Sequence, residues 1–241
     1  MRLLKSLAVA ATLVAVASPA YAHNHDALSS RFRLNNFDWG GSSAGDRFSW
    51  DLDARVGTAE NRIFFRTEGE VIRGQTEDAE IQLFYNRPIS EFWDFNVGWR
   101  RDFFPTNRNY AALGLSGIAP NFYEVEATAY MSEQGVAAGR LELSTDLLLA
   151  REVFGDSGPG MYLRPKLTTN VQSADDREQG TYAGFTDIRL SLQLRYEFTP
   201  RIAPYVEVGW GSLLGRTANE ARHDGERTTN SYAVIGIRSL F

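Results

Sequence analysis

Cysteine is absent from all 241 residues, which excludes disulfides and thiolate metal sites in this chain. Histidine is almost as scarce, with His23, His25 and His223 the full set. None of them falls in a strand-like segment, so a hydrolase that needs an imidazole general base finds no candidate there. His223 beside Asp224 reads as a solvated loop pair. Long apolar runs are missing too. The longest, Leu7 to Val16, follows Arg2 and Lys5 and precedes Ala20-Tyr21-Ala22, the pattern of a cleavable export signal. It is too short for a membrane-spanning helix, which takes about 20 residues. Nor is there a basic stripe: the formal charge is −5, and loss of the leader with its two basic residues makes it more negative. A nucleic-acid partner is therefore not expected. Neither a low-complexity tract nor a linker divides the chain. The expected organisation is a signal peptide over 1–22, a short periplasmic segment over 23–29, and one domain over 30–241.

What fills that domain is alternation. Phe48-Ser49-Trp50-Asp51-Leu52-Asp53-Ala54-Arg55-Val56 places an apolar side chain at every second position and a polar or ionisable one between. A period of two marks a strand with one apolar and one polar face. The pattern recurs about twelve times: Ser30–Trp39, Phe48–Val56, Arg62–Arg73, Asp78–Arg87, Trp93–Phe103, Asn109–Ile118, Phe122–Met131, Ala138–Leu148, Met161–Val171, Thr186–Phe198, Ala203–Leu213 and Ser231–Phe241. So many one-faced strands behind an export signal predict an all-β fold, a transmembrane antiparallel up-and-down barrel of about 12 strands in the outer membrane. Mean hydropathy is −0.31. A barrel accounts for that value, because half of each strand faces a polar interior.

An even strand number puts both ends in the periplasm. The short turns Gly57–Asn61, Pro88–Phe92, Ala119–Asn121 and Thr199–Ile202 then fall on that side. The longer polar stretches Gln172–Gly184 and Leu214–Asn230 fall outside. Leu149–Gly160 is a long connection on the side where short ones are expected, and the pattern offers no reason for it. Ile63, Phe65, Val71, Ile81, Leu83, Tyr85, Trp93, Phe95, Val97, Trp99, Ile188, Leu190, Leu192, Leu194 and Tyr196 face lipid in this register. Trp39, Trp93, Tyr123, Tyr196 and Trp210 suit interfacial girdles. The run Ala233, Ile235, Ile237, Ser239, Phe241 resembles the terminal signal by which outer-membrane assembly machinery recognises its clients.

The opposite faces carry Asp51, Asp53, Glu68, Glu70, Glu80, Asp94, Glu124, Glu126, Glu142, Asp146, Glu197 and Glu207, with Arg55, Arg66, Arg100, Arg140, Arg164, Lys166, Arg189, Arg195 and Arg238. Buried charges persist only when paired, so one reading is a salt-bridged interior that stiffens the barrel. The other is a charged path for cations, in which Glu68, Glu70, Glu124 and Glu126 supply hard oxygen ligands. A separate candidate lies at the start. Cleavage after Ala22 exposes His23-Asn24-His25, whose α-amine, two backbone nitrogens and third-position imidazole make a square-planar set suited to Cu(II) or Ni(II).

The passages "AEIQLFYNRPISEFWDFNVGWRRDF" (79–103), "TEGE" (67–70), "LGLSGIAPNFYEVEA" (113–127), "RLELSTDLLL" (140–149) and "DIRLSLQLRYEFTPRIAPYVEVGW" (187–210) resemble the copper-resistance protein B family of outer-membrane proteins. The resemblance implies a barrel in outer-membrane lipid that binds copper or moves it across that membrane, and the lack of a strand histidine speaks against an enzyme. It also implies a periplasmic copper-binding protein or multicopper oxidase as partner. Members typically carry a Met- and His-rich segment ahead of the barrel; here little of it is present. Two other readings stay open: a small non-selective porin, and a closed barrel that scaffolds periplasmic copper proteins.

Overall fold

The computed structural model describes residues 27–151, 160–199 and 201–241. Alternating side chains are dealt to opposite faces, and the strands they form pair in sequence order. They are β1 (Ser29–Ser42), β2 (Gly45–Gly57), β3 (Arg62–Ile72), β4 (Gln75–Pro88), β5 (Trp93–Phe104), β6 (Arg108–Ala119), β7 (Tyr123–Ser132), β8 (Ala137–Ser144), β9 (Leu147–Ala150), β10 (Met161–Gln172), β11 (Gly184–Tyr196), β12 (Ile202–Leu213) and β13 (Thr229–Leu240). Each is antiparallel to its neighbours. β10–β11 pairing and β13–β1 pairing close the ring. Among the described residues, β8 and β9 share β10 as partner and together make one stave, so the closed barrel has twelve.

Pro165 explains the break in that stave. Its ring removes the N–H that a β10 residue would give to the ladder. Opposite it, Thr145 donates its own N–H to Pro165 O at a long 3.4 Å and its hydroxyl to Phe122 O at 3.2 Å. Lys166 pairs with Ser144 and Leu163 with Leu147, and the ladder is interrupted between them. The freed Asp146 turns into the barrel, where it meets Arg195 at 3.0 Å.

Closure rests on the two terminal strands. Phe32 and Phe241 exchange backbone hydrogen bonds of 2.9 and 2.8 Å, and their rings lie 6.2 Å apart. The register of β1 slips at Leu34–Asn36 against β2. This bulge lets Asn35 join Arg33 on the inner face, where its amide donates to Asp51 and Asp53 at 3.1 and 2.9 Å. Beyond the bulge the alternation reverses: Asp38 is buried while Phe37 and Trp39 are exposed outward. Gly236 faces this corner because a Cβ there would stand 2.5 Å from the Tyr205 ring and 2.7 Å from Asp38 Cβ.

The outer surface is a belt of Ile63, Leu83, Val97, Leu113, Leu190, Leu192 and Ile235, all exposed. Exposed aromatics ring both ends of it. Tyr85, Phe92, Tyr123, Phe198 and Phe241 mark the end where the termini meet, and Trp39, Phe103, Phe104, Phe185 and Trp210 the other. Apolar bands flanked by aromatic girdles are what a bilayer selects on a barrel. At the far end, Arg73 and Gly74 both take positive φ and form the tight β3–β4 hairpin. The Leu214–Asn230 loop differs from its expectation. It contains helix α1 (Gly215–His223), which buries only Thr217, Ala218 and Ala221, too small an apolar stripe to register as helical periodicity.

Candidate functional site in the barrel lumen

The inner wall is ionic at mid-height. Glu80 on β4 is fully buried and accepts from Arg100 at 2.7 Å and from Arg140 at 2.9 Å. Arg140 also pairs with Glu68, and Gln82 donates to the second Glu80 oxygen. Arg66 reaches Glu126 at 3.0 Å, and Lys166 reaches Glu142 at 2.7 Å. Several of these contacts cross the lumen. Arg140 stands on β8 while its partners stand on β3 and β4; Arg66 on β3 meets Glu126 on β7. An inward aromatic patch of Phe84, Tyr130, Phe64 and Tyr110 supports the belt, and the Arg100 guanidinium lies 4.9 Å from the Tyr130 centroid.

Towards the far end, Arg47 pairs with Asp38 at 3.2 Å and Glu70 at 2.7 Å and covers the Tyr232 ring at 4.0 Å. Asp38 also accepts from Ser49 at 2.6 Å and Tyr205 at 2.8 Å. At the end with the termini, Arg33 holds Asp53 at 2.8 Å, and Arg164 holds Glu124 and, at 3.1 Å, Asp146. A cavity of about 900 Å³ runs past this belt. Its lining includes Ser90 and Glu91 in the β4–β5 turn at one rim and Thr228 and Asn230 at the other.

The far mouth is crossed by the β10–β11 loop. Arg108 on β6, almost completely buried, binds Asp176 at 3.0 Å and Glu178 at 2.9 Å. Gln179 reaches Tyr110 at 3.4 Å, and Arg216 and Thr217 of α1 hold the loop from the other side. Arg108→Ala removes the anchor and leaves Asp176 without its cation. Local opening of residues 173–183 is expected to become about 3 kcal/mol easier, roughly a hundredfold faster amide exchange there. Hydrogen exchange checks this, and faster exchange in the β6 ladder instead would assign Arg108 to the stave.

The four carboxylates singled out as hard ligands all sit inward, each with a cation of its own. Glu68 takes Arg140, Glu70 takes Arg47, Glu124 takes Arg164 and Glu126 takes Arg66. Glu68 and Glu70 share β3 and Glu124 and Glu126 share β7, two staves that do not touch. Among the described residues, no group of three or more His, Asp or Glu side chains is placed to hold a metal ion. His23 and His25 lie outside the described residues. His223 is exposed, 3.7 Å from Asp224. Sequence patterning missed Asp38, because the bulge inverts its face, and Arg47 and Arg108, because both lie one residue outside the strands it drew. Arg31, Arg33 and Arg62 were legible as inward only with the register in hand.

A closed antiparallel barrel with an apolar belt outside and an ionic lumen inside is of the outer-membrane porin type. Its fold is similar to the NanC porin, with a TM-score of 0.54 at 14% identity over 86% of this chain and 98% of that one. It is also similar to the KdgM porin solved with disordered oligogalacturonate, with a TM-score of 0.52 at 11% identity over 87% and 99%. The chain belongs to the copper resistance protein B family: the family model described as copper resistance protein B precursor matches residues 28–241. A copper resistance protein B homolog of Pseudomonas syringae pv. tomato is 36% identical over 219 residues, 90% of this chain and 72% of the relative. The Escherichia coli copper resistance protein B is 34% identical over 222 residues, 92% and 72%.

Proposed function

We propose that this protein is a non-enzymatic barrel of the outer membrane that serves copper resistance by binding copper ions transiently or passing them across that membrane. Membership of the copper resistance protein B family carries this reading. Export follows from the leader over 1–22, and the apolar belt with its two girdles supports residence in lipid. Copper is cargo here. The pairing of Glu68, Glu70, Glu124 and Glu126 with arginines favours weak, exchangeable contacts along the lumen over a resident site. Tight Cu(II) capture is assigned to His23-Asn24-His25, whose four nitrogens need no fold around them. Turns at the end with the termini are where a periplasmic copper-binding protein or multicopper oxidase would dock.

The test is copper sensitivity and cell copper in a strain lacking the gene, complemented with the full-length chain or with His25→Ala. Sensitivity rescued by both places the function in the barrel; rescue by the unaltered chain alone places it at the N-terminal histidines. A Cu(II) titration of the mature N-terminal peptide, expected to lose tight binding on His25→Ala, checks the site directly. The cavity lined at both rims favours a second reading, a small non-selective porin. That reading predicts no copper phenotype and altered uptake of unrelated solutes. A barrel that only scaffolds copper proteins predicts no conductance and a partner in a pull-down.

A further inference from the structure

Arg31 on β1 and Arg55 on β2 are directly opposed in the strand register, both lining the cavity at the end where the termini meet. Like charges so placed repel and destabilise a strand pair. Arg62 joins them from β3, and one carboxylate, Asp94, pairs with two of the three, at 3.3 Å from Arg62 and 3.6 Å from Arg55. Arg31 makes no ion pair with it. The nearby Asp53 gives its Oδ1 to Arg33 and Asn35, and its Oδ2 is buried without making a hydrogen bond to any of the three arginines. Glu91 lines the same rim from its turn. The Nε atoms of both Arg31 and Arg55 are buried and donate to nothing. Elsewhere in this half of the barrel Arg164 and Arg195 share Glu124, Asp146 and Glu197, while Arg238 lines the same cavity without an ion pair among the described residues. A buried guanidinium nitrogen without an acceptor is costly, and two of them on opposed residues beside one cavity describe a site lacking its acceptor.

We propose that Arg31, Arg55 and Arg62 form an oxyanion-binding site at this mouth of the lumen, taking a carboxylate- or phosphate-bearing solute whose oxygens bridge the opposed guanidiniums. Planar guanidinium forks match such oxygens in paired hydrogen bonds. The strand pairing fixes the two forks before the anion arrives, and the anion relieves their repulsion. The site holds for a copper-passing barrel and for a general channel alike.

The experiment titrates citrate and inorganic phosphate, at constant ionic strength, into the purified mature protein in detergent micelles, following heat release and the thermal unfolding midpoint. Saturable binding of at least one anion with a raised midpoint is expected, and the stronger of the two identifies the solute chemistry. Arg31→Gln with Arg55→Gln should weaken it by about tenfold or more. Arg216→Gln on α1, outside the lumen, should leave it unchanged. Without anion the double variant should unfold no lower than the parent, since a repulsive pair has been removed. Should the double variant not fold, Arg62→Gln carries the same criterion. Absence of saturable binding by either anion overturns the proposal. So does equal binding by parent and variant, or a lower midpoint of the anion-free variant, which would make the arginines structural.

Discussion

Glu80→Gln is expected to destabilise the barrel by about 3–5 kcal/mol, the cost of removing one partner from a buried ionic network. The substitution keeps size and shape, so no cavity enters the result. What changes is that Arg100 and Arg140, both aimed at one Glu80 oxygen at 2.7 and 2.9 Å, lose the anion between them. Arg100 retains Asp102 at 2.6 Å and Arg140 retains Glu68, which keeps the loss to a network defect rather than two isolated charges. Denaturant unfolding of the protein in micelles or bilayers measures it. Adding Arg140→Gln to Glu80→Gln should cost further stability, because Glu68 then loses its arginine. A loss below about 1 kcal/mol would mean that luminal water screens the belt as it screens surface pairs.

The strands and their faces were open to sequence reading because the bilayer imposes a period of two on every stave, and nothing else in this composition produces it. Ile188-Arg189-Leu190-Ser191-Leu192 sorts into outside and inside by inspection, and Leu190 and Leu192 are exposed on the outer face. The family too was legible, in the turn and strand pairs around Tyr85–Arg100 and Leu190–Trp210. Two things were not. Local departures from the period leave no mark on composition: the bulge at Asn35 inverts Asp38, and one proline, Pro165, splits a stave opposite it. Partnerships across the lumen were also hidden. That Arg66 meets Glu126, 60 positions away, follows from ring closure and side-chain reach, which no local pattern encodes. The inward charges could be listed from sequence; which of them neutralise one another could not. For the same reason the surplus at Arg31 and Arg55 becomes visible only once the pairs are drawn.

Arg140→Ala is expected to turn the mid-lumen into a cation-attracting constriction, with the cation-to-anion permeability ratio raised by roughly tenfold or more. A unit charge about 4 Å from an ion is worth about 4 kcal/mol at an effective dielectric constant near 20, before salt screens it. Removing Arg140 exposes Glu68 and leaves Glu80 with a single arginine, while Glu126 and Glu142 stay paired to Arg66 and Lys166. The short alanine side chain also withdraws the one link that spans from β8 to both β3 and β4. Reversal potentials across a planar bilayer under a salt gradient read the selectivity directly. A current in the variant with none in the parent would identify the belt as a gate held shut by ion pairs. No current in either would leave Arg66–Glu126 as a sufficient seal, and the copper role would then have to lie at the ends of the barrel.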